Sequence, residues 1–541
     1  MAFLSSGDQR RESAVGRTLF DFADQLGIRV PTSCGRQANC HECIVDVTCG
    51  MKALLPRGGS EEFLRGTYRL ACQAVVVDDS VDVEFSPLIR RPRILTSSAA
   101  AESDIDAIVV RQGGIVFYDG EAIDEDRGRI CGLAVDWGTT TVALELLDLE
   151  TGICLWGSAF ENPQRFGGSD VINRISYDGG AGHGELHKSA ISTLNHEIKE
   201  ICSALRMERL QIYEIVVVGN ATMRDLFFGL DVQSIGQRPY KSRIEHEYLA
   251  NRRTDTTLIE LAYRLGVLAH PKARVYGAPL IASHVGADTA ADLLATGIYC
   301  STETSMLVDV GTNTEVVIAH QGRLVAASCP AGPAFESGLI TYGMTGCDGA
   351  IEELTRNSQG WSYRTIGDVQ PQGICGSGLI DLLAELRRAG MMTPKGVFSN
   401  KARLISIVPE EGITFSREDA SNLAQAKAAN YCGQYIVMRD CGVRPGDIKH
   451  LYLAGGFANY INARNAIDIG FLAPVAEERI VKVGNASLSG ARQMLLSRRK
   501  RREIEEVVRS VEHIELESTS DFFELFVEGC QFKPMPAELG D

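Results

Sequence analysis

Four cysteines near the amino terminus have a spacing that can hold a metal cluster. Cys34, Cys40 and Cys43 lie on one short segment, and Cys72 follows after 28 further residues. Three thiolates on one loop and a fourth from a distant strand can surround the two irons of a [2Fe–2S] cluster. A zinc ion would also use four cysteines, but two Cys-x2-Cys pairs at zinc-ribbon spacing are absent. The sequence therefore predicts a one-electron centre whose ligands are these cysteines.

Two other motifs could bind phosphate groups. Each is an apolar strand that ends in Asp-x-Gly-Thr and is followed by a second strand, so each motif is predicted at the tip of a β-hairpin. Their residues are Asp136, Gly138, Thr139 and Thr140 in one, and Asp309, Gly311 and Thr312 in the other. Glycine lets the backbone approach a phosphate, and threonine hydroxyls and turn amides donate hydrogen bonds to it. The aspartates can hold Mg²⁺ or orient an attacking water, so we predict that they are catalytic.

A third motif completes the predicted ATP site. An apolar strand runs into Gly455 and Gly456 and then into a helix, a turn that can lie flat against adenosine. Neither a Walker A loop nor a well-placed Rossmann fingerprint occurs, and those would place phosphate on a strand–loop–helix unit instead. Asp170 and Asp288 could line the same cleft or could cap helices, and both interpretations stay open.

The elements that must position the cysteines are short. Leu19, Phe22, Ala23 and Leu26 repeat at helical spacing, and Gly27 ends the helix. Strands are predicted at 44–47, 68–73 and 81–85. Pattern and flanks together resemble a plant-type or adrenodoxin-like ferredoxin domain, a β-grasp fold, over residues 1–88. His41 departs from that family, whose members often carry glycine between the second and third cysteines; we interpret it as a loop residue that tunes the cluster.

The remaining chain resembles the ASKHA superfamily, which includes actin and acetate kinase. We predict a linker at 89–128, a middle domain at 129–298 with the first phosphate hairpin, and a C-terminal ASKHA domain at 299–541 with the second hairpin and the adenosine motif. The predicted fold class is thus α/β multidomain: an N-terminal β-grasp ferredoxin domain, a short linker domain and a two-lobed ASKHA region.

A ferredoxin domain, a linker and an ASKHA ATPase in this order resemble the reductive activators of corrinoid proteins. The resemblance implies an ATP-dependent enzyme that returns Co(II) of a methyl-transferring corrinoid protein to Co(I) with an electron from the [2Fe–2S] cluster. It also implies Mg²⁺, an upstream electron donor and, by resemblance alone, a homodimer. Ser337 lies on a loop that could meet the corrinoid and ligate cobalt. The alternatives are an ATP-binding redox sensor and a dehydratase-type activator, which has a [4Fe–4S] cluster between subunits.

Composition and charge limit the classes of partner and the location that we expect for the protein. The net charge is −16, which disfavours nucleic acid and anionic membranes. The basic run at 498–502 is followed at once by glutamates, so a solvated helix face is the simpler interpretation. No apolar run is long enough to span a bilayer, and the amino terminus lacks the apolar core of a signal peptide. We therefore expect a cytoplasmic protein whose other cysteines are reduced and partly buried.

Overall fold

The computed structural model describes residues 2–7, 9–88, 105–282, 284–336, 338–358, 360–456 and 458–538. Ser337 and the first part of the predicted linker lie outside these residues. All fifteen cysteines lie within them, and none is in a disulfide. No helix among the described residues is both long and apolar enough to cross a bilayer.

The amino-terminal part is a five-stranded sheet that packs on one helix. Its elements are β1 (Phe3–Ser6), β2 (Gln9–Glu12), α1 (Leu19–Leu26), β3 (Ile44–Cys49), β4 (Tyr68–Leu70) and β5 (Val83–Pro87). The sheet order is β2-β1-β5-β3-β4, with β1 parallel to β5. Thr18 and Asp21 form a capping box that starts α1, and Gly27, at φ 68°, ends it. The predicted β-grasp fold is confirmed.

The described part of the linker is a small antiparallel sheet rather than an extended tether. It consists of β6 (Val109–Gln112), β7 (Ile115–Tyr118) and β8 (Glu121–Glu125). The sheet is fixed to the middle region by buried polar contacts. The Tyr118 hydroxyl donates to Glu214 at 3.2 Å, and the Tyr213 hydroxyl donates to Asp124 at 2.9 Å.

The middle region is built on a six-stranded sheet of order β11-β10-β9-β12-β14-β13. Its strands are β9 (Cys131–Trp137), β10 (Thr141–Asp148), β11 (Cys154–Glu161), β12 (Ile212–Val218), β13 (Leu258–Leu261) and β14 (Arg274–Gly277). Its helices are α2 (Val171–Asp178), α3 (Glu185–Leu205), α4 (Ala221–Phe227), α5 (Arg243–Leu249), α6 (Ala262–Leu265) and α7 (Ala287–Thr296).

The C-terminal region has a second six-stranded sheet, of order β24-β23-β15-β16-β17-β25. The strands of the region are β15 (Ser305–Val310), β16 (Thr314–His320), β17 (Arg323–Cys329), β18 (Ala350–Asn357), β19 (Gly360–Thr365), β20 (Gly373–Ile374), β21 (Leu404–Val408), β22 (Ile413–Ser416), β23 (His450–Ala454), β24 (Ile480–Gly484) and β25 (Val511–His513). Its helices are α8 (Gly376–Arg388), α9 (Arg417–Asp440), α10 (Ala463–Asp468), α11 (Ala486–Leu496), α12 (Arg498–Val507) and α13 (Phe522–Gly529).

The two large sheets share one plan. In each, three antiparallel strands are extended by a strand parallel to the first: β12 beside β9, and β23 beside β15. The first strand of each sheet carries an Asp-x-Gly-Thr motif at its end. Because the carboxyl ends of these strands face a common gap, the two hairpin tips meet in the cleft between two lobes. This duplicated plan confirms the predicted ASKHA fold.

Two helices of the C-terminal sequence pack on the first lobe rather than the second. Helix α11 lies against α7, β9 and β12, and α12 also contacts α7. Gly490 permits the close crossing, since a Cβ there would lie 2.1 Å from the carbonyl oxygen of Ala291. Arg501 of the basic run is buried and donates to Glu214 at 2.8 Å. The expectation of a wholly solvated basic face is therefore wrong for Arg501, whose charge is paired inside the first lobe.

Candidate nucleotide cleft and cluster loop

The two predicted phosphate hairpins contact each other across the cleft. The hydroxyl oxygens of Thr140 and Thr312 are 2.7 Å apart. Both hydroxyls donate to the Glu336 carboxylate, at 3.0 Å from Thr140. The cavity around them has about 160 Å³ of water-accessible space. Its lining includes all nine residues predicted for the nucleotide: Asp136, Gly138, Thr139, Thr140, Asp309, Gly311, Thr312, Gly455 and Gly456.

Neighbouring side chains fix the main chain of the first hairpin. The Asn162 amide donates to the Gly138 carbonyl at 2.7 Å, and the buried Arg174 donates to the Thr139 carbonyl at 2.7 Å. The Thr139 hydroxyl accepts from Asn220 at 2.9 Å. These bonds fix the conformation of the turn at the edge of the cleft.

The third motif reaches the cleft through a close backbone approach. Gly455 has φ 115°, and a Cβ there would lie 2.2 Å from the carbonyl oxygen of Val310. Only glycine fits this position, because both the conformation and the contact exclude a side chain. The Gly455–Gly456 turn therefore lies directly beside the end of the Asp309 strand. Its contact with adenosine stays a prediction.

Buried carboxyl groups surround the hairpin tips. Burial raises the pKa of Asp136 to about 7 despite a hydrogen bond from Asn485 at 2.8 Å. Burial likewise raises the pKa of Asp288 to about 7 and raises that of Asp309. For Glu315, burial and then the charges of Asp288 and Asp309 raise the pKa well above its usual range. The cleft thus holds protons on carboxyl groups that a bound cation could ionise.

Acidic side chains dominate the described lining of the cleft. Of the described residues that line it, none is lysine or arginine, while six are aspartate or glutamate. A bare triphosphate would meet repulsion here, whereas carboxylate and hydroxyl oxygens are ligands that Mg²⁺ prefers. The donor set fits a nucleotide that arrives as its magnesium complex. Asp136 and Asp309 both line the cleft, and their role as ligands of that cation stays a prediction.

The four cysteines predicted to bind the cluster form two pairs. The Cys34 and Cys40 thiols hydrogen-bond each other, as do those of Cys43 and Cys72. Burial alone would raise the pKa of the Cys34 thiol, but hydrogen bonds from Cys40 and from nearby backbone amides lower it to about 6. The hydrogen bond from Cys43 likewise lowers the pKa of the Cys72 thiol to about 6. Within the described residues, no three metal-binding side chains surround a single point. Two thiols for each of two irons fit a [2Fe–2S] cluster better than one tetrahedral zinc.

Three matches with known families account for nearly the whole chain. The 2Fe-2S iron–sulfur cluster binding domain matches residues 3–77, the RACo middle region matches 131–301, and the C-terminal domain of RACo, its ASKHA domain, matches 303–539. The chain belongs to the RACo family.

Relatives of this RACo-family chain are similar over most of their length. The "Corrinoid activation enzyme RamQ" of Eubacterium limosum is 28% identical, with 97% of each chain covered. The "[Co(II) methylated amine-specific corrinoid protein] reductase" of Methanosarcina barkeri is 24% identical, over 76% of this chain and 79% of that protein. The solved structure "Reductive activator for corrinoid,iron-sulfur protein" aligns with a TM-score of 0.72 and 28% identity, covering 100% and 99% of the chains.

The structure adds residues to the RACo-family cleft that the motifs did not single out as site residues. Glu315, Glu336 and Asn485 line it, from β16, from the turn after β17 and from the start of α11. Only Glu315, one residue after Thr314 in the second motif, could have been inferred from spacing. Asp288 also lines the cleft. Asp170 instead caps α2, because its carboxylate accepts a hydrogen bond from the backbone amide of Asn173 at 2.8 Å.

Proposed function

We propose that this protein is an ATP-dependent reductive activator of a corrinoid protein. It passes one electron to Co(II) of a methyl-transferring partner and so regenerates Co(I). The observation that carries the proposal is the union, in one chain, of a ferredoxin-type cysteine loop and a two-lobed ASKHA cleft. A simple electron carrier needs no ATP cleft, and a simple kinase needs no redox centre.

Energetics explains why the two parts belong together. A plant-type cluster has a potential near about −400 mV, and each further ~59 mV that one electron must climb costs about tenfold in equilibrium constant. ATP can supply that difference only if its binding or hydrolysis favours one arrangement of protein and partner over another. The facing hairpins offer such an arrangement, since both must contact the same triphosphate.

Each group of residues then has a defined task. Cys34, Cys40, Cys43 and Cys72 hold the [2Fe–2S] cluster, which supplies one-electron chemistry when bound. Gly138, Thr139, Thr140, Gly311 and Thr312 bind the phosphates, and Gly455 and Gly456 flank adenosine. Asp136 and Asp309 hold Mg²⁺ and orient water. A low-potential one-electron donor must reduce the protein first, and a homodimer is the expected assembly.

An anaerobic absorbance assay tests the proposal. The reduced protein is mixed with a Co(II) corrinoid protein, with and without Mg-ATP, and the Co(I) spectrum is followed. We expect Co(I) only with Mg-ATP. Paramagnetic resonance of the same samples identifies the cluster, and a [4Fe–4S] signal would favour a dehydratase-type activator. An intact [2Fe–2S] cluster that gives no Co(I) with several corrinoid partners would overturn the proposal in favour of a sensor.

A further inference from the structure

The ferredoxin part is docked on the first lobe through its cluster loop. His41, between the ligands Cys40 and Cys43, has its Nδ1 atom 2.7 Å from Oε2 of Glu185 at the start of α3. The other Glu185 oxygen accepts from Lys188 at 2.7 Å. The imidazole also stacks on Phe63, with ring centroids 4.2 Å apart. The segment that wraps the proposed cluster is thus held by a buried carboxylate of another domain.

The same start of α3 is bonded to the first phosphate hairpin. Gln164 is fully buried; its amide donates to the carbonyl of Leu186 at 2.9 Å. Its oxygen accepts from the indole nitrogen of Trp137 at 3.0 Å, and Trp137 immediately precedes Gly138. Two hydrogen bonds through one side chain therefore join the hairpin strand to the residue beside Glu185.

The interface around this link combines polar and aromatic contacts. Arg29 forms an ion pair with Glu200, and the Tyr177 hydroxyl donates to the Phe63 carbonyl at 2.6 Å. The rings of Phe63 and Phe166 meet edge to face, with centroids 6.1 Å apart. A cavity with about 20 Å³ of water-accessible space lies between the domains beside His41. That is enough for one water molecule. Polar contacts and a water-sized cavity between two domains allow the domains to shift relative to each other.

We propose that Gln164 and Glu185 couple nucleotide binding at the first hairpin to the docking of the cluster loop, with Glu185 as a positioning residue that acts through His41. The coupling rests on the proposed nucleotide and cluster sites. Because coupling free energies are reciprocal, a nucleotide that shifts the cluster potential must itself bind with different affinity to the oxidised and reduced protein.

The experiment compares two glutamates on one helix. Glu185→Ala removes the bond to His41, whereas Glu200→Ala removes the ion pair with Arg29 at the far end of α3. The full-length protein with its cluster is titrated by paramagnetic resonance without nucleotide, with Mg-ADP and with a non-hydrolysable Mg-ATP analogue. The Kd of Mg-ADP is measured in both oxidation states.

We expect nucleotide to shift the midpoint potential of the wild-type and Glu200→Ala proteins. A tenfold ratio of the two Kd values corresponds to about 59 mV. In Glu185→Ala the shift disappears and the two Kd values become equal. A shift that survives in Glu185→Ala, or a wild-type potential that bound nucleotide leaves unchanged, would overturn the coupling.

A second variant keeps the test decisive if Glu185→Ala does not fold. His41 has φ 57°, and asparagine tolerates this backbone, so His41→Asn removes the imidazole without strain. The measured quantity is again the shift of midpoint potential caused by nucleotide, because a substitution beside the cluster will change the absolute potential. The two proposals can fail separately. ATP-dependent formation of Co(I) without any nucleotide-induced shift of the midpoint potential contradicts the coupling alone. A shift of the midpoint potential without formation of Co(I) contradicts only the corrinoid role.

Discussion

Asp136 connects the chemistry of the cleft to pH. Its carboxyl is buried, and burial raises its pKa from 3.8 to about 7, so the nucleotide-free site is protonated below neutrality. A raised pKa means that the group favours the folded state below pH about 4, and that this contribution is lost as the pH rises through about 7. A cation bound beside the ionised carboxylate would compensate its charge and so restore the lost folding stability.

Asp136→Asn should therefore raise the melting temperature of the nucleotide-free protein by a few degrees at about pH 8 and by a clearly smaller amount at about pH 5. Differential scanning fluorimetry across this range checks the prediction. The exposed Asp79→Asn is the matched control and should change neither value. Equal effects of Asp136→Asn at both pH values would mean that this carboxyl is not the titrating group.

Asp309→Asn tests the catalytic assignment directly. If Asp309 holds Mg²⁺ or positions water, partner-stimulated ATP hydrolysis should fall by roughly 10²–10³-fold, while the resonance signal of the reduced cluster is unchanged. Phosphate release and paramagnetic resonance on one preparation give both values. Hydrolysis within about threefold of the wild-type rate would remove Asp309 from the mechanism.

At the scale of elements, the two hairpins are joined before any nucleotide arrives. Glu336 accepts from both Thr140 and Thr312, the hydroxyls that we assign to phosphate. Its carboxylate therefore competes with phosphate oxygens for the same donors and adds negative charge at the same place. The hairpin tips are held in register by a group that the ligand must displace.

Replacement of Glu336 by glutamine should accordingly tighten Mg-ADP binding, by about tenfold if one charge repulsion of roughly 1.4 kcal/mol is removed. Isothermal titration calorimetry gives the Kd. Glu353→Gln, an exposed change on β18, is the control. Weaker binding by Glu336→Gln would instead indicate that this carboxylate helps to hold the cation.

Sequence patterns predicted those elements whose signal is local. Helix α1 with its end at Gly27, the two hairpins and the turn at Gly455 follow from neighbouring residues, and so does the cysteine spacing. Glu336 and Asn485 could not be found this way, because the return of distant segments to the cleft places them there. The contact between His41 and Glu185 depends on how two domains dock, which no single segment encodes.

At the scale of the molecule, the redox and nucleotide parts are separate sheets joined by contacts at one face. Cys72→Ser should abolish the cluster signal, because four thiolates are needed, yet Mg-ADP should still raise the melting temperature. The apolar core of the second lobe contains none of the four predicted ligand cysteines, so we expect that core to fold without the cluster. Paramagnetic resonance measures the cluster signal, and fluorimetry measures the melting temperature with and without Mg-ADP. Cys49→Ser is the control for both measurements. Loss of nucleotide stabilisation in Cys72→Ser would mean that the lobes need the cluster to fold.

The return of α11 and α12 to the first lobe has a consequence for biosynthesis. The chain leaves the second sheet after β24, covers the first sheet with residues 486–507, and re-enters the second sheet at β25. While the ribosome is still making residues before 486, the first sheet lacks the helix that packs on β9 and β12, and that apolar face stays uncovered. The lobe that is translated first is therefore completed only near the end of synthesis, shortly before β25 completes the second sheet. Until then its uncovered apolar face exposes the nascent chain to aggregation.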